Sequence, residues 1–277
     1  MSIRLRTNVE SLAPRKQLAR NQRDLRQSTR KLSSGLRISR AADAAAQLGN
    51  SEKMQAQIRS YRAAHRNAND AISMIQVAES AWQESSSILS RMRELAVQSA
   101  SDVLQSSDRA NLSLEFSTLQ EELDRIAGTT EFNGLDLGLG TAGIVGVQVG
   151  VFEAGTTNRI NIRFGNMTAI SLGVASNTTR VTTTGTARAA IGNIDQAIER
   201  ANFFRSDIAS NQNRIASAMR NTENTLENLV EANSRIQDVD IAEESANHTR
   251  GRVFQQAGVA LLSQANVSSR NALALLS

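Results

Sequence analysis

Apolar positions near both ends of the chain repeat every seven residues, the spacing of a helix that packs along one narrow stripe. The repeating residues are Leu18, Leu25 and Leu32 at the N-terminal end, and Phe254, Leu261 and Leu275 at the C-terminal end. A helix with so narrow an apolar stripe cannot bury it alone. We therefore expect the end helices to pair with each other or with further copies of the chain, as in a self-assembling subunit.

Two longer stripes lie between the ends. They consist of Ile75, Trp82, Leu89 and Ala96 in the first block, and of Ile215, Met219, Thr222, Leu226, Leu229, Asn233 and Ile236 in the second. The second stripe alternates steps of four and three, the a/d pattern of a coiled coil. We predict that the apolar members of both stripes form the core of a helical rod. A further helix is predicted after the break at residues 101–107, with a left-handed stop at Gly128.

The middle of the chain, about residues 128–186, has a different character. Gly, Thr and Asn clusters separate short alternating runs at residues 145–149 and 159–163, which predict the strands of a β-hairpin. Outside this region long stretches contain no helix breaker except Pro14, the only proline. The whole pattern predicts a mainly α fold: an elongated antiparallel helical rod or coiled coil with a small β-hairpin insert and paired terminal helices.

Basic residues are concentrated at the N-terminal end. Residues 1–40 hold 11 Lys and Arg against two acidic residues. Such an arm could bind nucleic acid or an anionic membrane surface. Its cations alternate with helix-spaced leucines, however, and the first 60 residues contain no aromatic side chain on which a base could stack. We therefore expect no nucleic acid as a partner, although a coiled-coil nucleic-acid-binding protein with a basic arm stays an alternative.

Protein contacts are the other use for these cations, because arginine pairs well with carboxylates at packed interfaces. Contacts with acids of the same or another copy would make assembly sensitive to salt and pH. The candidate acids are Glu227, Glu231, Asp238, Asp240, Glu243 and Glu244.

No motif in the chain points to catalysis, a cofactor or a metal. Gly138, Gly140 and Gly143 match the dinucleotide-binding pattern G-x-G-x-x-G, but a β-rich run follows where that pattern needs a helix. His65 and His248 are far apart and cannot form a zinc pair on one helix. The chain has no cysteine, no signal peptide and no apolar run of about 18 residues, so we expect no membrane insertion and a dedicated route if the protein is exported.

Several segments resemble conserved motifs of bacterial flagellins. They are residues 31–38 (KLSSGLRI), 51–54 (SEKM), 66–72 (RNANDAI), 91–99 (RMRELAVQS), 131–134 (EFNG), 234–240 (SRIQDVD), 255–258 (QQAG) and 274–277 (ALLS). The resemblance implies a short flagellin that lacks variable outer domains. Residues 1–44 and 238–277 would form a discontinuous inner-core domain, and residues 45–237 an outer-core rod.

The resemblance also implies a function and a set of partners. The protein would be a structural subunit of the extracellular flagellar filament, without enzymatic activity, that self-assembles into a helical polymer for swimming. It would leave the cell through the flagellar type III apparatus, with an export chaperone on its C-terminal segment, and would meet cap and hook-associated proteins. A sheathed or periplasmic filament, and a hook–filament junction protein of the same family, stay as alternatives.

A last implication of the resemblance concerns recognition by animals. The chain resembles the flagellins that the flagellin-sensing Toll-like receptor binds, which carry the sequence R-x-R-E-L in the first rod helix and a glutamate on the next helix. The contacts would be Arg91 as donor, Leu95 as apolar anchor and Glu115 as acceptor. Ordinary packing within the rod is the competing interpretation, since Arg91 and Leu95 are neighbours on one helix face.

Overall fold

The computed structural model describes residues 9–153 and 158–274, and it describes side chains at residues 12–153 and 158–267. This part of the chain contains six helices and four short strands. The helices are α1 (Val9–Ser34), α2 (Ala45–Ser99), α3 (Ser106–Thr129), α4 (Ala169–Leu172), α5 (Thr184–Gln237) and α6 (Ile241–Ala274). The strands are β1 (Glu131–Phe132), β2 (Leu135–Asp136), β3 (Ile144–Gln148) and β4 (Arg159–Arg163). The prediction of a mainly α fold with a small β-hairpin insert is confirmed.

Contacts divide the chain into two compact units. The terminal unit comprises residues 1–56 and 228–277, and the central unit comprises residues 57–227. These divisions fall inside α2 and α5, whereas the boundaries expected from the sequence, 44/45 and 237/238, coincide with the start of α2 and the end of α5. The helix ends and the clustering of contacts therefore mark slightly different borders.

In the terminal unit, α1 and α6 lie side by side. The loop that follows α1 is bonded to the end of α5 and to the connection between α5 and α6: Arg37 N donates to Gln237 O at 2.7 Å, and Val239 N donates to Gly35 O at 3.0 Å. Gly35 has φ +71°, and its N–H bonds to Lys31 O, so it ends α1 with the left-handed turn that glycine favours. The apolar Ile38 is buried beside these strand-like contacts.

The core of the central unit is built from α2, α3, α5 and the β insert. Trp82 of α2, the only tryptophan, is fully buried and stacks on Phe204 of α5 with ring centroids 5.3 Å apart. Many of the other buried side chains are Ala, Ile, Leu or Val, in keeping with the low aromatic content of the chain. Long helices can pack closely through such small and branched side chains without a bulky core.

The β insert consists of two hairpins. In the first, β1 and β2 are joined by Asn133 and Gly134, whose φ values of +50° and +77° fit a two-residue hairpin turn. In the second, β3 pairs with β4 in antiparallel register, with Val147 opposite Ile160. Gly140 and Gly143 also have positive φ, and a strand follows them rather than a helix. The glycine pattern thus forms a turn.

The prediction that Gly128 stops α3 in a left-handed conformation is wrong. The helix continues through Gly128 to Thr129, and Thr130 ends it in an extended conformation, with φ −83°. The backbone N–H and the hydroxyl of Thr130 both donate to Ile126 O, at 3.0 and 2.6 Å. Because this carbonyl is already satisfied, the helix end needs no left-handed residue.

Candidate self-association surface

The terminal helix pair, α1 with α6, meets along a seam of leucine against glycine. A Cβ atom added to Gly258 would lie 3.3 Å from Leu18 Cδ1, and one added to Gly251 would lie 3.3 Å from Leu25 Cδ1. The two glycines are seven residues apart, as are the two leucines. Because glycine has no side chain, the two helices can approach closely at these positions, and each leucine lies against the backbone of a glycine.

Polar bonds fix the register of this pair. Asn21 Nδ2 donates to Gly251 O at 2.8 Å, and Ser28 Oγ donates to Glu244 O at 3.3 Å. The Lys31 ammonium lies 3.6 Å from the Glu244 carboxylate. A bond that joins a side chain to the partner helix's backbone stops either helix from sliding, since a shift of one residue would leave the donor unpaired.

The pair has no closed core. Among its described side chains only Ser28 is buried, and Leu18, Leu25 and Leu32 are half-buried. Large apolar side chains around the pair keep 48–61% of their surface exposed. They are Leu12, Val253, Phe254, Val259, Leu261 and Val267. Exposed apolar surface of this extent marks a site of protein association.

Glycines of α6 lie against the leucines of α1. Phe254 and Leu261, which we expect to pack against α1 or against further copies of the chain, keep 60% and 61% of their surface exposed. They line the side of an open apolar groove together with Pro14, Leu18 and Ala257. Leu275, the third predicted residue of this stripe, lies outside the described residues.

A polar cluster lies in the terminal unit where α2 begins and α5 ends. The Gln237 side-chain oxygen accepts from Gln55 Nε2 at 2.7 Å, from Ser51 Oγ at 3.0 Å and from Asn233 Nδ2 at 3.3 Å. Ser51 and Gln237 are buried. A buried amide with these partners specifies one pairing of the two helices, because any other would leave its oxygen unpaired.

A turn in the α1–α2 loop is held by Asp43. Its carboxylate accepts from the backbone N–H groups of Ser39 and Arg40, at 3.3 and 3.1 Å. Desolvation raises the pKa of Asp43, but these hydrogen bonds outweigh it, and the net effect is a pKa below the ordinary value. The turn is therefore held by an ionised carboxylate at neutral pH.

The acids proposed as partners of the basic arm are mostly engaged within the terminal unit. Glu244 pairs with Lys31, and Glu231 pairs with Arg235. Asp240 caps the start of α6 through Ala242 N and Glu243 N, and Asp238 accepts from Ser234 Oγ. Among the described residues of this unit, Lys31 is therefore the one cation of α1 that forms a close ion pair with an acid.

The residues predicted for the rod core differ in burial. Ile75, Trp82, Leu89 and Ile215 are fully buried in the central unit. Leu226, near the C-terminal end of that unit, is half-buried. Leu229 and Ile236 are half-buried in the terminal unit. Burial thus falls along α5 towards its C-terminal end.

Of the three residues expected at a receptor surface, Arg91 and Glu115 form an exposed ion pair, whereas Leu95 is buried. The Arg91 guanidinium lies 2.8 Å from Glu115 and 2.9 Å from Glu94. The hydrogen bonds that Arg91 donates to Glu115, and secondarily to Glu94, raise the pKa of Arg91. Leu95 is 1% exposed and belongs to the core, so it is not available as an apolar anchor on the surface. Its helix position turns it towards the core, which favours the packing interpretation for this residue.

Within the described ranges no group of three His, Cys, Asp or Glu side chains is placed to hold a metal ion. Nor does any helix in that part of the chain have the length and apolar character needed to cross a bilayer.

Comparison with known proteins gives matches at both ends of the chain. The family model for the bacterial flagellin N-terminal helical region matches residues 5–140, and that for the bacterial flagellin C-terminal helical region matches residues 191–276. The flagellin of Halalkalibacterium halodurans is 40% identical, over 97% of this chain and 98% of its own. Flagellin FlaB2 of Treponema pallidum is 36% identical over the same shares.

A solved structure agrees with these relatives. The crystal structure of Bacillus cereus flagellin is 29% identical, with a TM-score of 0.50, and the match covers 57% of this chain and 88% of that one. Both family models include helices of the terminal pair, so the exposed apolar surface belongs to the matched regions.

Proposed function

We propose that this chain, which belongs to the bacterial flagellin family and is a structural subunit of the flagellar filament, joins the filament through its terminal helix pair. The observation that carries this proposal is the exposed apolar surface of α1 and α6, which a single copy leaves open to water. Copies that pack α6 against α6, or α6 against α1, would cover it. The family is structural, in agreement with the expected lack of enzymatic activity.

Burial of these side chains supplies the driving force for growth. A large apolar side chain gains about 1.5–3 kcal/mol when it is moved fully from water into a packed interior. Each residue in question has roughly half of this gain left to make, because about half of its surface is still exposed. Several such residues per copy favour a polymer over free subunits even after the entropy lost on association.

Ordering of the terminal pair is coupled to assembly in this proposal. Helices without a closed core are marginal in water, and α1 and α6 bury little of their surface against each other. Neighbouring copies complete the core that one copy lacks. In this proposal residues 1–44 and 238–277 form the inner core of the filament, and residues 45–237 form its outer core.

Deletion of either terminal segment tests this function. Chains that lack residues 1–40 or residues 245–277 should keep a folded central unit, because its core lies between residues 57 and 227. They should form no filaments under conditions in which the full chain polymerises. Sedimentation and electron microscopy measure the outcome, and circular dichroism is the control for folding. Filaments from either truncated chain would contradict the proposal.

Family membership implies a location in the flagellar filament, and the route of export is part of the proposal. The filament places the protein outside the cell membrane, and we propose export through the flagellar type III apparatus to the cell exterior. An export chaperone that covers the C-terminal segment would protect Val253, Phe254 and Leu261, which a single copy leaves exposed. Cap and hook-associated proteins would contact the same terminal helices at the ends of the filament.

Recognition by the flagellin-sensing Toll-like receptor is proposed through Arg91 and Glu115 alone. Both are exposed and already paired with each other, so a receptor would meet an ordered charged surface. With the monomeric protein, Arg91→Ala and Glu115→Ala should each lower the signal in a receptor-reporter assay without a change in circular dichroism. Arg125→Ala, which removes another exposed ion pair, with Glu122, is the matched control.

Leu95→Ala separates recognition from packing in the same assay. It removes a buried side chain and should lower the melting temperature, so any loss of its signal would reflect the fold. Full activity in both charged variants would refute the assignment.

A further inference from the structure

The outer face of α1 carries a stripe of cations opposite to its apolar stripe. Lys16, Arg23 and Arg30 repeat every seven residues, and each precedes a heptad leucine by two positions. Two helical positions correspond to about 200° around the axis, so these cations point away from the leucines that face α6. Arg26 lies on the same side, three residues from Arg23 and four from Arg30. We name these four residues the cationic stripe, and all of them are exposed.

Among the described residues the cationic stripe forms no close ion pair, and Arg30 is the one member whose charge is felt by an acid of its own unit, since it helps to lower the pKa of Asp43. No ion pair involves any of its members in the parts of the chain that the structure describes, and Lys31, outside the stripe, takes Glu244. The terminal unit as a whole holds 16 Lys and Arg against nine Asp and Glu. Copies that pack their terminal units together would therefore bring like charges close to one another, at a cost that grows as water is excluded.

The central unit has the opposite balance, with 15 Lys and Arg against 18 Asp and Glu. On α5, Glu223 and Glu227 are exposed and one turn apart, and neither forms an ion pair with any described residue. Two like charges at this spacing repel each other and destabilise their own helix. An external cation at each carboxylate removes that repulsion.

The charged residues of the cationic stripe and the carboxylates of α5 have the same spacing along their helices. Arg26 and Arg30 are four residues apart on α1, as Glu223 and Glu227 are on α5, which separates the members of each pair by about 5–6 Å. Two helices laid side by side can therefore form two ion pairs at once, each with the bidentate geometry that arginine favours with carboxylates.

We propose that the cationic stripe of one copy docks on α5 of a second copy, where Arg26 and Arg30 pair with Glu223 and Glu227. The inference rests on the proposed function, since polymerisation brings the second copy into place. It adds an electrostatic contact between the terminal unit of one subunit and the central unit of another. Apolar burial drives growth, and these pairs fix which surfaces meet.

Charge reversal tests the contact in the full-length protein. Arg26→Glu with Arg30→Glu, and separately Glu223→Arg with Glu227→Arg, should each raise the critical concentration for polymerisation about tenfold at low salt. The difference should shrink between about 50 mM and about 500 mM NaCl, as screening increases. The combined fourfold variant, with the charges exchanged, should polymerise nearly as the wild type does. Arg62→Glu with Arg66→Glu, a similar exposed pair on α2, should change little.

Disulfide trapping supplies a second readout, because the natural chain contains no cysteine. Copies with Arg26→Cys mixed with copies with Glu227→Cys should give cross-linked dimers on oxidation of the filaments. Mixtures with Glu84→Cys, another exposed acid, should give few.

The outcomes separate the inference from the function. If the wild type polymerises while both reversed variants match the α2 control, or if the exchanged variant shows no recovery and no dimer is trapped, the inference is overturned and the proposed function stands. Reversal that alters only binding to anionic vesicles or duplex DNA, with an unchanged critical concentration, also overturns it. A wild type that stays monomeric at every salt concentration overturns both.

Discussion

Single residues decide how closely the terminal helices approach. Glycine inside a helix costs about 0.5–1 kcal/mol relative to alanine, so Gly251 and Gly258 weaken α6 when it is considered alone. The two glycines compensate for this cost by allowing close contact with Leu25 and Leu18, since a Cβ at either position would already lie 3.3 Å from a leucine methyl group. The same two glycines therefore destabilise the isolated helix and stabilise the helix pair.

Substitution of one of these glycines tests this balance. Gly258→Leu should push α1 away from α6 and raise the critical concentration for polymerisation several-fold, because the added side chain must occupy the space of Leu18. Gly192→Leu is the matched control: it lies in the helical interior of α5, and a Cβ there meets nothing within 4 Å. Sedimentation of polymerised protein measures both. Equal behaviour of the two variants would show that close approach at Gly258 is unimportant.

At the scale of elements, α5 changes its role along its length. Ile194, Ile208 and Ile215 are fully buried in the central unit, while Leu226 retains part of its exposure. The heptad pattern of the sequence is equally regular over both parts. What differs is membership of the buried core of the central unit, which includes Ile194, Ile208 and Ile215 but not Leu226.

This difference predicts unequal costs for similar substitutions. Ile215→Ala should lower the free energy of unfolding of the monomer by about 2–5 kcal/mol, because it empties a fully buried site. Leu226→Ala should cost less, about 1–2 kcal/mol, because solvent already reaches the side chain. Denaturant unfolding followed by the fluorescence of Trp82, which is buried in the same unit, measures both. A larger loss of unfolding free energy for Leu226→Ala than for Ile215→Ala would contradict the order expected from burial.

For the whole molecule, the two units differ in what holds them together. The central unit has a continuous buried core, whereas the described side chains of the terminal helix pair enclose none. Local opening is expected where few apolar contacts must be broken. In the isolated monomer the central unit should therefore resist local unfolding, whereas the terminal unit should open readily. Assembly should remove this difference.

Limited proteolysis checks this contrast. Trypsin should cleave the monomer first at the exposed arginines of α1, such as Arg15, Arg23 and Arg30, and should leave a resistant fragment that contains the central unit. Exposed arginines on α2, such as Arg62 and Arg66, serve as the internal control because they lie on a packed helix. In filaments the α1 sites should be protected. Mass spectrometry of the fragments decides, and equal cleavage at α1 and α2 in the monomer would argue against coupled ordering.

The sequence by itself determined the helices, the hairpin insert and the family, because these depend on local periodicity, turn residues and motifs that lie along the chain. The mainly α fold and the role as filament subunit follow from that information. It also indicated which stripes are apolar, as at Ile75, Leu89 and Ile215, which the structure buries.

Only the tertiary structure decided which side of each helix meets a neighbour. The heptad pattern marked Phe254 and Leu261 as apolar positions but left open whether they meet α1 or another copy, and in the structure the small residues Gly251 and Gly258 lie against the leucines of α1. Leu95 is buried although Arg91, one turn away, is exposed, and Thr130 rather than Gly128 ends α3. A periodic pattern places residues on a face of a helix, but the rotation of that helix about its axis is set by steric fit and hydrogen bonding with elements far away in sequence.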